Sequence, residues 1–498
     1  MSSVGKAGKD ALLYLPGRLV VGCIGFVVLP LLTHVFPDAA EIGRYDLTLR
    51  FTQFLHILLT AWLGTSMVRY YADYTGRGQS TVFYTVILCL RRVGIILGVV
   101  FLGGIYVWGP DALVHSYRDL LPVGALVFVG FAMFETDQML LRAKGRAGAF
   151  SVSLIVTTLG KFVLGFLIVF VFKTGIEGIL WGSALFPLLI HAAWLRKEFG
   201  ASRLLPQKDD RPFIKELLFF GLPIAISGTL RFALSNADRF FLRWLTGTDD
   251  AVGMFAVGNL FGDQPISLLS ATLMLAAFPE ISRIYDQESR ANAERFLAQI
   301  TRIYLLITML LVALTIAGAP FVFKFIIAGK AQNSWDVVPY IAGATFVLGI
   351  SNYAGLGVYM GKRSDKLLWC TAIGLAANMG LNVVFIPFMG YVGCGVARFI
   401  ANAIFLTAVT VASSRYLHWH FPFLTLVRSF LAALCAGSFL FAVGHFTLIG
   451  LPVVPGMALL AVLASLAVAT YGTVLFVTRE VSKENLSNWF RLLIKPSK

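Results

Sequence analysis

The chain has 498 residues, of which 58% are hydrophobic and only 13% are charged. This balance excludes a soluble globular protein, because about 25% of the residues in soluble domains are charged. Lysine and arginine outnumber aspartate and glutamate by 41 to 26. The basic residues lie in short loops between apolar runs, so membrane topology explains the excess and nucleic acid is not an expected partner.

Apolar runs of about 18 to 25 residues, each long enough to cross a bilayer, follow one another along the whole chain. They lack the period-two alternation of a membrane barrel, so helices are the expected spanning elements. Basic loops on one side predict that both termini are cytoplasmic. The fourteen predicted spans are residues 11–33, 45–70, 87–108, 120–141, 149–172, 176–195, 213–245, 252–279, 302–324, 337–360, 367–388, 391–414, 424–446 and 454–478.

The chain contains signs of an internal duplication. Leu15-Pro16 opens the first apolar run and Gly43-Arg44-Tyr45 opens the second, while Leu222-Pro223 and Gly253-Met254-Phe255 occupy the same places 207 and 210 positions later. The alternative is that any multi-spanning protein has glycines and basic residues at span ends. Because each copy has an even number of spans, six, we predict two parallel repeats with a transport site between two bundles.

The predicted organisation follows from this duplication. It comprises an N-terminal six-helix lobe at residues 1–197, a cytoplasmic linker at 198–212, a second six-helix lobe at 213–418, two additional spans at 419–480 and a cytoplasmic amphipathic tail at 481–498. Residues 71–91 and 281–301 are too polar to span and too long for tight turns, and we expect them to form interfacial helices.

Polar residues form stripes on several predicted spans: Asp46, Arg50, Gln53 and Thr60 share one face of span 2, and Ser227, Arg231, Ser235 and Asp238 share one face of span 7. A charged residue at the bilayer centre costs about 2.5 to 3.5 kcal/mol, so such stripes are expected to face inward. The alternative is structural pairing with acidic neighbours inside one lobe. Glu135 and Asp137 point in nearly opposite directions, so one of them is expected to be a packing partner. Candidate cavity residues are Arg50, Arg231, Lys161, Arg398, Gln53 and Asn402, and candidate ion-coupling residues are Asp263, Glu135 and Asp238.

The sequence has no zinc-protease, nucleophile-elbow or phosphate-loop motif and no cluster of cysteine and histidine. We therefore predict neither an enzyme nor a cofactor or metal. Transport would depend on an ion gradient, the membrane potential or the gradient of the substrate. Arginine and lysine predominate among the candidate cavity residues, which favours an anionic substrate.

These features resemble the polysaccharide biosynthesis branch, the lipid-linked oligosaccharide flippases, of the multidrug/oligosaccharidyl-lipid/polysaccharide (MOP) exporter superfamily. The resemblance is carried by the Leu-Pro openings, the glycine turns into spans 2 and 8, Asn236-Ala237-Asp238-Arg239 in span 7 and the Gly-x-x-Gly turns before spans 6 and 12. It implies an all-α, V-shaped pair of six-helix bundles plus two C-terminal helices in the bacterial inner membrane. It also implies that Arg50 corresponds in kind to a cavity arginine.

The same resemblance implies a substrate and partners. The substrate would be an oligosaccharide linked to undecaprenyl pyrophosphate, turned over by alternating access in lipopolysaccharide or exopolysaccharide synthesis. Membrane lipids and polysaccharide polymerase or assembly proteins would be partners. Two other functions remain open: an ion-coupled antiporter of small cations using Glu135, Asp137 and Asp263, and a non-transporting scaffold of a polysaccharide-assembly complex.

Overall fold

The computed structural model describes residues 3–109, 116–448 and 450–480, without the side chains of residues 3–16, 18, 19 and 364. Throughout these ranges the regular structure is helical and contains no strand. The tail predicted at residues 481–498 lies outside the described residues. Helix contacts divide the chain into two compact units, Met1–Ala256 and Val257–Lys498.

The first unit is built from helices that follow one another with short connections. A five-residue π-helical segment, Ile57–Ala61, joins α2 and α3 into one continuous span. The helices are α1 (Ser3–Val35), α2 (Ala39–His56), α3 (Trp62–Gly76), α4 (Ser80–Trp108), α5 (Leu120–Ala143), α6 (Ala147–Phe172), α7 (Glu177–Ala193) and α8 (Arg211–Thr246).

Helix α9 (Asp249–Gln287) begins in the first unit and continues into the second. The last two helices correspond to the two spans predicted at residues 419–480, and both pack against the helix at residues 290–326. The remaining helices are α10 (Arg290–Ile326), α11 (Val338–Ala354), α12 (Leu356–Met360), α13 (Ser364–Met389), α14 (Tyr391–Ser414), α15 (Phe423–Thr447) and α16 (Val453–Val477).

The prediction of a helical membrane protein is confirmed. In the described ranges, twelve helices are long and apolar enough to cross a membrane, and two shorter apolar helices, Val20–Val35 and Glu177–Ala193, occupy the places of the other two predicted spans. The chain is therefore a multi-pass membrane protein.

The prediction of separate interfacial helices at residues 71–91 and 281–301 is wrong. Residues 71–76 complete α3 and 80–91 begin α4, while the second segment is divided in the same way between α9 and α10. Helix α9 has 39 residues, which makes it roughly 58 Å long, about twice the thickness of the hydrocarbon core. The polar residues lie on the protruding ends of spanning helices, so they need no helix of their own.

The boundary between the compact units falls inside α9, later than the linker predicted at residues 198–212. Helix α8 packs against α2, the π-helical segment and α3, which places it with the first unit. The two six-helix lobes at residues 1–197 and 213–418 were inferred from the internal duplication, and they stay a prediction.

Two glycines that the duplication relates lie against each other in the first unit. A Cβ atom on Gly43 would overlap the carbonyl oxygen of Asp249, and one on Gly253 would overlap the carbonyl oxygen of Ala39. Helices α2 and α9 therefore cross at backbone-to-backbone distance near their first turns, which only glycine permits.

Candidate functional site

A buried carboxylate, Asp46, joins two arginines in the first unit. Its Oδ1 accepts a hydrogen bond from Arg50 Nε at 3.2 Å and its Oδ2 accepts one from Arg239 Nε at 2.5 Å. Arg239 is 1% exposed and Asp46 is 8% exposed. Arg50 is more accessible, and its Nη1 donates to Gln53 Oε1 at 3.1 Å.

Local helix geometry explains this arrangement. Residues three, four and seven positions apart lie on one face of a helix, which brings Asp46, Arg50 and Gln53 of α2 together. Arg239 reaches them from α8, where its guanidinium lies 5.4 Å from the centre of the Phe255 ring. The predicted stripe on span 2 is confirmed by these contacts, although the role of its residues in transport stays a prediction.

Lys161 on α6 adds a third positive charge. Its ammonium lies 4.8 Å from the centre of the Phe162 ring and close enough to Arg50 for electrostatic interaction. No carboxylate among the described side chains lies within ion-pair distance of it. We call Arg50, Lys161, Arg239 and Asp46 the cationic cluster; it contains three cations and one carboxylate.

A π-helical segment follows the cluster residues on the same span. His56 is buried, and its Nδ1 lies 2.7 Å from Thr60 Oγ1, whose hydroxyl is also 3.1 Å from the carbonyl oxygen of His56. Single π-helical turns inside α-helices are frequent at functional sites. Here the turn begins four residues after Gln53.

Arg231 and Asp238, predicted to share one environment, differ in burial. Asp238 is fully buried, whereas Arg231 is exposed, and both interact with other residues. Seven residues correspond to about 10 Å along a helix, and only the Asp238 end of this stretch is covered. Both residues lie on one face of α8, and their role in transport stays a prediction.

The second-unit candidates hold helices together. Arg398 Nη1 on α14 donates to Asn259 Oδ1 at 2.5 Å, and Asn402 Nδ2 donates to the carbonyl oxygen of Ala344 at 2.8 Å. Arg398 and Asn402 are buried. These contacts fit the structural alternative for Arg398, with an amide in place of the acidic neighbour.

Asp263 on α9 is half-buried and accepts a hydrogen bond from Thr345 Oγ1 at 2.7 Å. Within the described side chains, no basic group lies at ion-pair distance from it. It is thus a carboxylate in a membrane span with a hydroxyl partner.

Asp137 is the packing partner of the two acids on α5. Its carboxylate lies 3.3 Å from Arg91 Nη1 on α4 and 2.6 Å from His191 Nδ1 on α7. The Asp137 side chain is fully buried. Glu135 is half-buried and also interacts with a neighbour, and its role in ion coupling stays a prediction.

Residues 7–285 match the family model described as polysaccharide biosynthesis protein. The chain belongs to the polysaccharide biosynthesis protein family. No curated protein matches the sequence significantly.

Solved structures show the same fold at low sequence identity. The lipid II flippase MurJ in an inward closed conformation aligns with a TM-score of 0.73 and 13% identity, covering 96% of this chain and 99% of its own. An inward-facing multidrug resistance MATE family transporter of the MOP superfamily gives a TM-score of 0.58, 16% identity and coverage of 82% and 94%. A MOP superfamily transporter from Pyrococcus furiosus, described as having a binding pocket of reverse polarity, aligns with a TM-score of 0.54 and 15% identity. The alignment covers 82% of this chain and 95% of that transporter. The fold is that of MOP superfamily transporters.

Three members of the cationic cluster, Asp46, Arg50 and Lys161, lie in the first copy of the predicted duplication, and Arg239 lies in the second. Helices α6 and α13 have the same length of 26 residues and lie 217 positions apart, so Lys161 corresponds to Asn378. The 210-position spacing of the paired glycines places Ala256 and Leu260 where the first copy has Asp46 and Arg50. None of these three corresponding positions carries a charge.

The sequence alone did not reveal that Arg239 forms an ion pair with Asp46. Asp46 was seen in the stripe on span 2, and Arg239 only as part of a family motif. The available signal was that a carboxylate inside a membrane span needs a cationic partner. The choice of Arg239 among the arginines of the chain depends on how α2 and α8 pack.

Proposed function

We propose that this protein flips a polyprenyl-pyrophosphate-linked oligosaccharide across the bacterial inner membrane, with both termini in the cytoplasm. The observation that carries the proposal is the cationic cluster: Arg50 and Arg239 share the Asp46 carboxylate, while Lys161 has no carboxylate partner among the described side chains. Membership of the polysaccharide biosynthesis protein family supports the substrate class.

The excess positive charge of the cluster suits an anionic ligand. Placing a charged side chain in a membrane costs about 2.5 to 3.5 kcal/mol on insertion scales, and Lys161 has only the face of an aromatic ring as a described partner. A pyrophosphate supplies several acceptor oxygens, which arginine can bind through two parallel hydrogen bonds and lysine through a point charge. Binding would neutralise the cluster and the ligand together.

Asp46 gives the cluster a way to exchange ligands. In the free protein the Asp46 carboxylate accepts hydrogen bonds from Arg239 and Arg50. An incoming pyrophosphate competes for these guanidinium groups, and its departure lets Asp46 return. The charge of the substrate is thereby screened while it passes through the membrane, and alternating access releases it on the other side.

The chain itself supplies no means of nucleotide hydrolysis, because its sequence has no phosphate-loop motif. A transmembrane ion gradient, the membrane potential or the substrate gradient therefore drives the movement in this proposal. Polysaccharide polymerase and assembly proteins would take up the sugar on the far side.

The test uses purified protein in proteoliposomes that carry a lipid-linked oligosaccharide on one leaflet, with its arrival on the other leaflet detected by an impermeant lectin. We expect transport by the wild type and at least tenfold slower transport by Lys161→Met. Lys324→Met is the matched control, because Lys324 is also in a membrane helix with its ammonium over the adjacent ring, at 5.9 Å from Phe325. Equal loss in both variants, or no transport by the wild type, would overturn the proposal.

A second candidate function is an ion-coupled antiporter of small cations. It is favoured by Asp263, whose carboxylate has a hydroxyl partner and no described basic partner in a membrane span. The same vesicles loaded with a cationic dye distinguish the two functions. Dye expulsion that is abolished in Asp263→Asn, without sugar transport, would favour the antiporter.

A further inference from the structure

An apolar cavity of about 780 Å³ lies in the first unit, among α2, α4, the start of α5 and the end of α8. This volume is within the usual range for ligand pockets, about 300 to 1,000 Å³. Among the described residues that line it, Arg243 alone is charged. Much of the wall is aromatic or aliphatic, as shown by Phe51, Phe101, Ile105, Leu121, Phe240 and Trp244.

The cavity opens between exposed apolar side chains of membrane-spanning helices. Phe101 and Trp244 line it and are 51% and 70% exposed, and their helices are membrane spans. The neighbouring residues Val100 and Val107 of α4 are also exposed. A hydrocarbon chain can therefore enter the cavity from the bilayer without crossing water.

Helix α2 separates this cavity from most of the cationic cluster. At 100° per residue, Thr48, Phe51 and Thr52 lie about 120° to 180° away from the middle of the face that carries Asp46 and Arg50. Helix α8 lies beside α2, and two contacts close the seam between them: the Asp46–Arg239 ion pair on the cluster side and the Phe51–Phe240 ring contact at 6.5 Å on the cavity side. On α2 the charged face is therefore separate from the cavity wall, while α8 contributes Arg239 to the cluster and Arg243 to the cavity wall.

We propose that this cavity binds the isoprenoid chain of the lipid-linked substrate while the pyrophosphate occupies the cationic cluster, with the seam between α2 and α8 open between them. This inference rests on the proposed function and names the tail site for it. A pyrophosphate that displaces Asp46 from Arg239 removes the ion pair that closes the seam. Binding of the head group and admission of the chain are thus one event.

Charge balance favours the isoprenoid lipid over a phospholipid. Arg243, at the wall of the cavity, is neutralised by Asp249, whose carboxylate lies 2.7 Å from Arg243 Nε and also accepts from the Tyr117 hydroxyl. A phospholipid with its acyl chain in the cavity would find no spare positive charge there. The cationic cluster, in contrast, has three cations for one carboxylate.

The position of the cavity also suits the end of a flipping cycle. It lies at the Ala39 end of α2 and the Thr246 end of α8. Cytoplasmic termini place both ends in the outer half of the membrane. A chain held there is already in the leaflet that receives the substrate.

The test is photolabelling of the full-length protein in nanodiscs with a polyprenyl pyrophosphate that carries a diazirine on its chain. We expect mass spectrometry to map the label to the cavity walls on α2, α4 and α8. Excess unlabelled polyprenyl pyrophosphate should displace it, and excess phosphatidylglycerol should not. Label confined to other helices, or equal displacement by phosphatidylglycerol, would overturn the inference.

A matched pair of variants on α4 sharpens the test. Ile105→Trp fills the cavity, whereas Val107→Trp adds the same ring to an exposed position two residues away. We expect Ile105→Trp to reduce cavity labelling at least tenfold and to slow transport of a long-chain substrate more than of a farnesyl-chain analogue. Val107→Trp should behave as the wild type, and equal labelling of both variants would count against the tail site.

The outcomes separate this inference from the proposed function. Specific labelling of the cavity in a protein that moves no oligosaccharide would retain the chain site and overturn the flippase proposal. Oligosaccharide transport by a protein whose cavity takes up no label would retain the flippase proposal and overturn the chain site.

Discussion

The Asp46 carboxylate on α2 accepts a hydrogen bond from the Arg239 guanidinium on α8 at 2.5 Å, although 193 residues separate the two in sequence. Both side chains are buried, so neither can exchange its partner for water. Loss of one partner of such a pair leaves an uncompensated charge, which costs more than the intact pair contributes.

Asp46→Asn is therefore expected to destabilise the protein by about 3 kcal/mol, the lower end of the range for broken buried pairs, because the amide can still accept one hydrogen bond. Denaturant unfolding in detergent micelles measures the change. Asp73→Asn is the control, since the Asp73–Arg77 pair is exposed and such pairs contribute little. Equal stability of the two variants would show that the Asp46–Arg239 pair does not hold α2 and α8 together.

The same substitution tests whether Asp46 competes with the ligand. Asp46→Asn removes the only carboxylate from the cationic cluster, so the folded variant should bind polyprenyl pyrophosphate more tightly and release it more slowly. We expect at least a fivefold lower Kd together with slower transport, measured by ligand titration and lectin access. Asp73→Asn is again the control, because its exposed ion pair with Arg77 lies outside the cluster, and it should change the Kd by less than twofold. Weaker binding by Asp46→Asn would contradict a competing carboxylate.

The sequence predicts the spans well, because the length of an apolar run decides whether it can cross a bilayer. It also predicts the grouping of Asp46, Arg50 and Gln53, because helical periodicity is local. It cannot predict that Arg239 closes this group, or that Lys161 lies near Arg50, since both facts depend on packing between helices. The interfacial helices were a wrong prediction because polarity alone does not show whether a helix continues into water.

The crossing of α2 and α9 gives a second test of packing in the first unit. Gly43→Ala places a Cβ atom on the carbonyl oxygen of Asp249, so the helices must separate. Gly103→Ala on α4 meets no atom within 4 Å and should be neutral or stabilise by roughly 0.5 to 1 kcal/mol, since alanine favours helix over glycine. Thermal unfolding in detergent should show a lower Tm for Gly43→Ala only. A Tm equal to that of Gly103→Ala would mean that the crossing is not close.

Glu480, beyond the end of α16, predicts a pH dependence of stability in the second unit. Burial opposes its ionisation, but Thr425, Arg428 and Arg302 all donate to its carboxylate, at 2.6, 2.9 and 2.7 Å, and the net effect is a pKa below the usual glutamate value. A lowered pKa in the folded state means that this contribution is complete above the pKa of the unfolded state and is lost as the pH falls through the lower, folded pKa.

Glu480→Gln should therefore lower the Tm clearly at pH 7 and less as the pH falls below the usual glutamate pKa, where the wild type loses the same interactions. Thermal unfolding of both proteins across this range measures the difference. Glu288→Gln is the control, because the Glu288–Arg283 pair is partly exposed, and its small effect should change little with pH. A difference between Glu480→Gln and the wild type that stays constant down to acid pH would show that the carboxylate charge does not hold α10, α15 and the end of α16 together.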